Sequence, residues 1–136
     1  MVVYDTYAWI EYFRGSDKGR RVKSLLSKGG HTPTIVLAEL ARKYLREGMP
    51  YTEIEKRLLF MEVKTKIVPI SHEISMKAAE VYLSLYEHAR KNKLRTPSLA
   101  DAIVYATALI LGEELVTGDR LFRGLPNIVY IGEADH

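Results

Sequence analysis

One apolar stretch constrains the fold of this chain more than any other feature. It runs from Ala102 to Gly112, contains no charged residue and directly follows Asp101. Its pattern predicts a helix that is apolar on nearly every side, and such a helix is buried. The carboxylate of Asp101 then lies in the interior or on the floor of a cleft, where an unpaired charge is costly. We expect a cation beside it: the helix N-terminus, a basic side chain or a metal ion.

A purely structural role for Asp101 is the alternative. Ser98 stands three residues earlier, and a serine at the N-cap with an acid three positions later is typical of a capping box. An acid in the first turn also interacts favourably with the helix dipole. The presence or absence of other acids near Asp101 in the fold decides between the two roles.

The totals indicate an ordinary globular protein. The 136 residues suffice for one domain with a sizeable core, and we assign residues 1–136 to it. Cysteine is absent, which excludes disulfides and thiolate metal sites. The absence of cysteine also fits a cytoplasmic location, and we expect no membrane span and no signal peptide. The net charge of +3 permits a polyanionic partner without requiring one.

Short apolar runs alternate with helical patterns along the chain. Strands are predicted at 1–4, 31–34, 66–70, 114–117 and 127–131, of which the second could instead be the entry to a helix. Helices are predicted at 7–13, 19–28, 35–47, 52–63, 71–93 and 98–111, with a helical turn at 120–122. Thr52–Glu55 matches a capping box at the start of the fourth helix. The alternation predicts an α/β domain with a mainly parallel sheet.

Four acids stand out because apolar or turn residues flank them: Asp5, Glu39, Asp101 and Asp119. Each has its own structural explanation, since Asp5 could cap a helix, Glu39 could pair with Arg42, and Asp119 could be a turn residue. Together they fall at C-terminal strand ends or early in helices. In an open α/β sheet those positions converge on the crevice where ligands bind.

Several carboxylates in one crevice repel one another unless a cation joins them. An all-oxygen ligand set suits Mg²⁺ or Mn²⁺ better than Zn²⁺. Such a site typically generates a nucleophile from water and stabilises the charge that develops on a phosphate. The sequence therefore predicts a divalent-metal site built from these four acids.

The four segments resemble a PIN domain, most closely the small stand-alone VapC-like toxin ribonucleases. The motifs that carry the resemblance occur in the order of the family and cover essentially the whole chain: Val2–Thr6, Leu37–Leu40, Ser98–Ala102 and Leu115–Phe122. The resemblance implies a PIN-like three-layer α/β fold, in which a central, mainly parallel sheet is flanked by helices.

The resemblance also implies a function. Asp5, Glu39, Asp101 and Asp119 would form the catalytic, metal-binding site, with Asp5 and Asp101 as principal ligands of the first ion. Thr117 and Thr6 would support it by hydrogen bonding. The implied reaction is hydrolysis of RNA phosphodiester bonds to a 5′-phosphate and a 3′-hydroxyl. The implied partners are a cognate antitoxin and a second copy of the chain in a homodimer.

Basic residues near predicted loop edges could contact RNA, although a solvated surface is the default for each. Arg14, Arg120 and Arg123 are the best candidates for backbone phosphates because they follow predicted site segments. Two other functions stay open: a PIN nuclease of housekeeping RNA processing, and a non-catalytic RNA-binding or scaffold module. A neighbouring antitoxin gene would separate toxin from housekeeping nuclease, and Mn²⁺ binding would separate enzyme from scaffold.

Overall fold

The computed structural model describes residues 1–134, which form a parallel sheet covered by helices. The strands are β1 (Val2–Tyr4), β2 (His31–Pro33), β3 (Lys66–Val68), β4 (Glu114–Thr117) and β5 (Ile128–Tyr130). The α-helices are α1 (Thr6–Arg14), α2 (Asp17–Leu26), α3 (Thr34–Arg46), α4 (Tyr51–Lys64), α5 (His72–Lys91) and α6 (Leu99–Leu111). A 3₁₀ helix spans Arg120–Phe122. The predicted three-layer α/β fold is confirmed.

The strands lie in the order β3-β2-β1-β4-β5, and every pair is parallel. The chain builds outward from β1 to β2 and β3, then crosses to the other side of β1 to add β4 and β5. The direction of building therefore reverses between β1 and β4. In open α/β sheets this switch point opens a crevice at the carboxyl ends of the strands.

Helix α6 is the buried helix that its sequence predicts. Every residue from Ala102 to Ala108 is buried, and α6 packs against α5. Ser98 caps it with the predicted capping box, in which Ser98 and Asp101 each bond the other's backbone N–H, and Gly112 ends it in a left-handed conformation. Helix α1 contacts α2 and α3, and its aromatic side chains also pack against the ring of Phe60 in α4.

Two predicted helix starts differ from the structure: α2 begins at Asp17 after the N-cap Ser16, two residues before its predicted start, and the predicted cap of α4 is wrong. Helix α4 begins at Tyr51 with Pro50 at the N-cap, and no side chain caps it. The carbonyl of Pro50 accepts hydrogen bonds from the N–H groups of Glu53 and Ile54. Thr52 is therefore already inside the first turn, so the Thr52–Glu55 capping box does not form.

No helix within residues 1–134 combines the length and the apolar character needed to cross a bilayer.

Candidate active site

The four acids predicted from the sequence line one pocket beside the β1–β4 switch point. Its cavity volume is about 110 Å³. Asp5 follows β1 directly, and Asp119 lies two residues beyond the end of β4. The residues that complete the lining are Thr6, Tyr7, Arg95, Val104 and Phe122. The fold thus brings together carboxylates from four distant segments of the chain.

Three of these acids also take part in capping a helix, Asp5 and Asp119 as the N-cap residue and Asp101 as the third residue of the capping box. Asp5 accepts the N–H of Ala8 at the start of α1, at 2.8 Å. Asp101 accepts the N–H of Ser98 at 2.7 Å, and Asp119 accepts the N–H of Leu121 at the start of the 3₁₀ helix, at 2.9 Å. The structural roles considered for these residues are therefore real. They orient the carboxylates and do not remove them from the pocket.

Glu39 and the two threonines complete the hydrogen bonding. The hydroxyl of Thr6 donates to Oε1 of Glu39 at 2.7 Å. The hydroxyl of Thr117 accepts the N–H of Asp119 at 3.0 Å and also hydrogen-bonds the carboxyl of Asp5. Thr117 thus connects the acid after β1 to the acid after β4.

Arg95 is the residue of the pocket that the sequence reasoning missed. Its two terminal nitrogens bond the two carboxylate oxygens of Asp101 at 2.8 and 2.9 Å, and Nη2 also lies 2.5 Å from Oδ2 of Asp119. The expected cation beside Asp101 is therefore a side chain together with the helix N-terminus. Arg95 lies in the turn before α6. The one feature of the sequence that could have pointed to it is its position, three residues before the cap residue Ser98.

The acids differ in the ease with which they ionise. Burial raises the pKa of Asp5 to about 7, and the charges of Asp119 and Glu39 add to this effect. Burial also raises the pKa of Glu39. Burial acts in the same direction on Asp101, but hydrogen bonds from Arg95 and Ser98 outweigh it, so the pKa of Asp101 lies below its ordinary value. Asp5 and Glu39 are therefore harder to ionise than Asp101.

The donor set fits a hard divalent cation, because every candidate ligand atom is an oxygen. The arrangement shown is nevertheless not a ready-made cage. Among residues 1–134 no three acidic or histidine side chains are grouped so as to hold one metal ion. The guanidinium of Arg95 already occupies oxygens of Asp101 and Asp119.

The three arginines predicted to contact RNA fall in two places. Arg120 and Arg123 line a cleft of about 360 Å³ with His88, Asn92, Lys93 and Leu94. This cleft, which we call the basic cleft, is lined by residues that are chain neighbours of the acidic pocket's lining, since Arg120 follows Asp119 and Arg123 follows Phe122. Arg14 lies apart, at the C-terminal end of α1, where it pairs with Glu11 at 3.6 Å. The structure does not bring Arg14 to either cavity.

The structure is thus that of an α/β protein with an all-parallel sheet and a pocket lined by acids at its switch point. Residues 2–127 match the family described as the PIN domain. The chain therefore belongs to the PIN domain family, as the sequence motifs suggested. No curated protein matches its sequence.

Solved structures with this fold include several toxin–antitoxin proteins. A toxin–antitoxin complex from Klebsiella pneumoniae is 22% identical with a TM-score of 0.74, and the match covers 98% of this chain and 100% of that one. VapBC2 from Rickettsia felis, bound to a promoter DNA fragment, is 19% identical with a TM-score of 0.70. The match covers 98% of this chain and 100% of that one. VapC20 from Mycobacterium tuberculosis, a sarcin–ricin loop cleaving toxin, is 16% identical with a TM-score of 0.67. The match covers 93% of this chain and 96% of that one. At these identities the likeness concerns the fold.

Proposed function

We propose that this protein is a metal-dependent endoribonuclease, the toxin of a toxin–antitoxin pair. The observation that carries the proposal is the convergence of Asp5, Glu39, Asp101 and Asp119 on one pocket in a PIN-family chain. Four carboxylates with a single arginine among them are suited to bind a cation and a phosphate together. The toxin role is supported by similarly folded proteins found in toxin–antitoxin complexes.

The proposed cofactor is Mg²⁺ or Mn²⁺, held by Asp5 and Asp101 with Glu39 and Asp119 acting directly or through water. When bound, such an ion supplies a hydroxide nucleophile from water and offsets the negative charge that builds up on the phosphate. The residues of this chain do the positioning. Helix caps hold Asp5, Asp101 and Asp119, and the hydroxyl of Thr6 orients Glu39.

The proposed substrate is RNA, whose backbone would enter along the basic cleft. Lys93, Arg120 and Arg123 supply positive charge there, and Arg120 and Arg123 each directly follow a residue of the acidic pocket in the chain. His88 also lines the cleft, and its buried Nε2 has no hydrogen-bond partner within the described part of the chain. Contacts of this kind bind phosphates and do not read base sequence. An RNA substrate implies action in the cytoplasm.

The proposed partners are an antitoxin and a second copy of this chain. Two other candidates remain in view: a housekeeping RNA-processing nuclease with the same site, and an RNA-binding scaffold without catalysis. A short neighbouring antitoxin gene whose product co-purifies with the chain distinguishes the toxin from the housekeeping nuclease. Light scattering of the purified chain tests the homodimer.

The central test is RNA cleavage by the purified protein with Mg²⁺ or Mn²⁺. Asp101→Asn should abolish cleavage and leave the fold nearly intact, because an asparagine keeps the shape and part of the capping ability of Asp101. Asp17→Asn is the matched control, since Asp17 is exposed and lies outside the pocket. Sequencing of the product ends should show 5′-phosphates. Cleavage by Asp101→Asn at the wild-type rate would refute the proposal and leave the capping box as the whole role of Asp101.

A further inference from the structure

Arg95 occupies the carboxylate oxygens that a metal ion would need. Oδ2 of Asp101 accepts hydrogen bonds from Nη1 of Arg95 and from both the N–H and the hydroxyl of Ser98. Oδ1 of Asp101 accepts from Nη2 of Arg95, which also bonds Oδ2 of Asp119. The guanidinium therefore joins the two carboxylates to each other, in the place of an ion shared between them.

The two carboxylates do not depend on Arg95 for their orientation. The backbone N–H of Ser98 holds Asp101, and the N–H of Leu121 holds Asp119 through its other oxygen, Oδ1. If the guanidinium left, the caps would keep both side chains at the pocket. The freed atoms would be Oδ1 of Asp101 and Oδ2 of Asp119.

Arg95 can leave without disturbing the core. It lies in the turn between α5 and α6, and its side chain is 46% exposed, compared with 13% for Asp101 and 27% for Asp119. A long side chain on an exposed turn changes rotamer at little cost, whereas the capped carboxylates are fixed to helix starts. Of the three side chains, that of Arg95 is therefore the one that can move away, while the carboxylates of Asp101 and Asp119 stay in place.

We propose that Arg95 and a divalent cation compete for Asp101 and Asp119, so that Arg95 lowers the metal affinity of the site and stabilises the metal-free protein. The inference rests on the proposed function, because it assigns the ion to the same pocket. In the metal-free protein, Arg95 offsets the negative charge of the two carboxylates. Displacement of Arg95 is then a required step of metal binding.

Competition makes a reciprocal prediction. Two ligands of one site weaken each other by the same factor, and couplings of this kind typically lie between about 5-fold and 150-fold. Removal of Arg95 should therefore tighten metal binding and also lower the melting temperature of the metal-free protein. If Arg95 instead stayed on Asp101 and helped to hold the metal-bound site together, its removal would weaken metal binding.

The experiment is calorimetric titration of Mn²⁺ into wild type, Arg95→Ala and Arg95→Lys, with melting temperatures measured in EDTA and in saturating Mn²⁺. Arg95→Ala should bind Mn²⁺ about tenfold more tightly, melt at a lower temperature in EDTA and gain more from Mn²⁺. Arg95→Lys, which keeps the charge but loses the two-pronged contact, should fall between. Arg20→Ala is the matched control, because Arg20 pairs with Asp17 at 2.9 Å on the exposed face of α2.

The outcomes separate this inference from the proposed function. Saturable Mn²⁺ binding that is equal or weaker in Arg95→Ala overturns the competition and leaves the metal-dependent function standing. Absence of Mn²⁺ binding in both proteins overturns the competition and the metal site together. If Arg20→Ala tightened Mn²⁺ binding as much as Arg95→Ala, the loss of one positive charge anywhere on the protein would explain the effect, and the inference would also be overturned.

Discussion

The ring of Tyr7 lies directly against the backbone of Gly118. A Cβ built on Gly118 would stand 2.0 Å from Cε1 of that ring, far inside van der Waals contact. Gly118 has no need of a left-handed backbone, so the requirement for glycine here is purely steric. Because Tyr7 lines the acidic pocket and Asp119 follows Gly118, this contact shapes the wall of the candidate site.

Gly118→Ala should therefore destabilise the protein by about 1–3 kcal/mol, the usual cost of forcing an extra methyl into a packed contact. The measurement is chemical unfolding of wild type, Gly118→Ala, Tyr7→Ala and the double variant. In the Tyr7→Ala background the cost of the added methyl should largely disappear, because the ring that it strikes is gone. An undiminished cost in the double variant would place the strain elsewhere.

The raised pKa of Asp5 predicts a pH dependence of stability. Between its ordinary value of 3.8 and its folded value of about 7, the folded protein binds a proton that the unfolded chain has released. The contribution of Asp5 to stability is therefore greatest at low pH and falls as the pH rises through this window. The shift corresponds to a loss of at most about 4 kcal/mol.

Asp5→Asn should remove this contribution, because asparagine can still accept the capping hydrogen bond from Ala8 and does not titrate. Unfolding in EDTA from pH 4.5 to 8 measures it. The variant should gain stability over wild type progressively up to about pH 7 and then hold a constant advantage. Parallel stability curves for the two proteins would show that burial does not perturb Asp5.

A buried hydrogen-bond chain should make Thr32 sensitive to substitution. Nε1 of Trp9 donates to the hydroxyl of Thr32 at 3.1 Å, which pairs with the hydroxyl of Thr65 at 2.7 Å. Thr32→Val keeps the shape but leaves the indole N–H without its acceptor, at a cost of about 1–3 kcal/mol. Thr32→Ser keeps the hydroxyl and should cost less. Tryptophan fluorescence during urea unfolding measures the free energy of unfolding of both variants. Equal losses of stability in Thr32→Val and Thr32→Ser would contradict the importance of this hydrogen bond.

The basic cleft predicts a change in the salt dependence of RNA binding. Arg120→Ala should weaken binding of a short RNA in EDTA, and it should reduce the slope of log K against log salt by about 1, as expected when one phosphate contact is lost. Arg21→Ala removes an exposed charge on α2 and is the control. Fluorescence anisotropy at several salt concentrations measures the slopes. Equal slopes for wild type and Arg120→Ala would exclude Arg120 from the path of the RNA.

Much of the local structure follows from the sequence alone. The alternation of short apolar runs with helical patterns predicted the parallel α/β class, and the uncharged run after Asp101 predicted the buried helix α6. Ser98 and Asp5 cap the helices whose caps the sequence predicts. These features depend on hydrogen bonds and side-chain periodicity within a few residues, so a short segment encodes them. Thr52 is the exception, because Pro50 supplies an earlier start for α4.

The partner of Asp101 required the tertiary structure. Arg95 was one basic residue among many near loop edges, and its distance in sequence from Asp119 gives no hint that one guanidinium joins the two acids. Long flexible side chains choose partners by what the fold brings within reach. The same reason explains Arg14, which follows a site segment in the chain but lies at the far end of α1.

The sequence by itself determined which residues carry charge, roughly which segments form strands and helices, and which helix the core must cover, because those properties act over neighbouring positions. The strand order, and with it the pocket, was decided by the tertiary structure. Only the pairing of β1 with β4 sets Asp5 beside Thr117 and Asp119. The two strands are more than 100 residues apart in the sequence, and they pair because the chain crosses the sheet so that helices can cover both faces. No local pattern in either strand specifies this pairing.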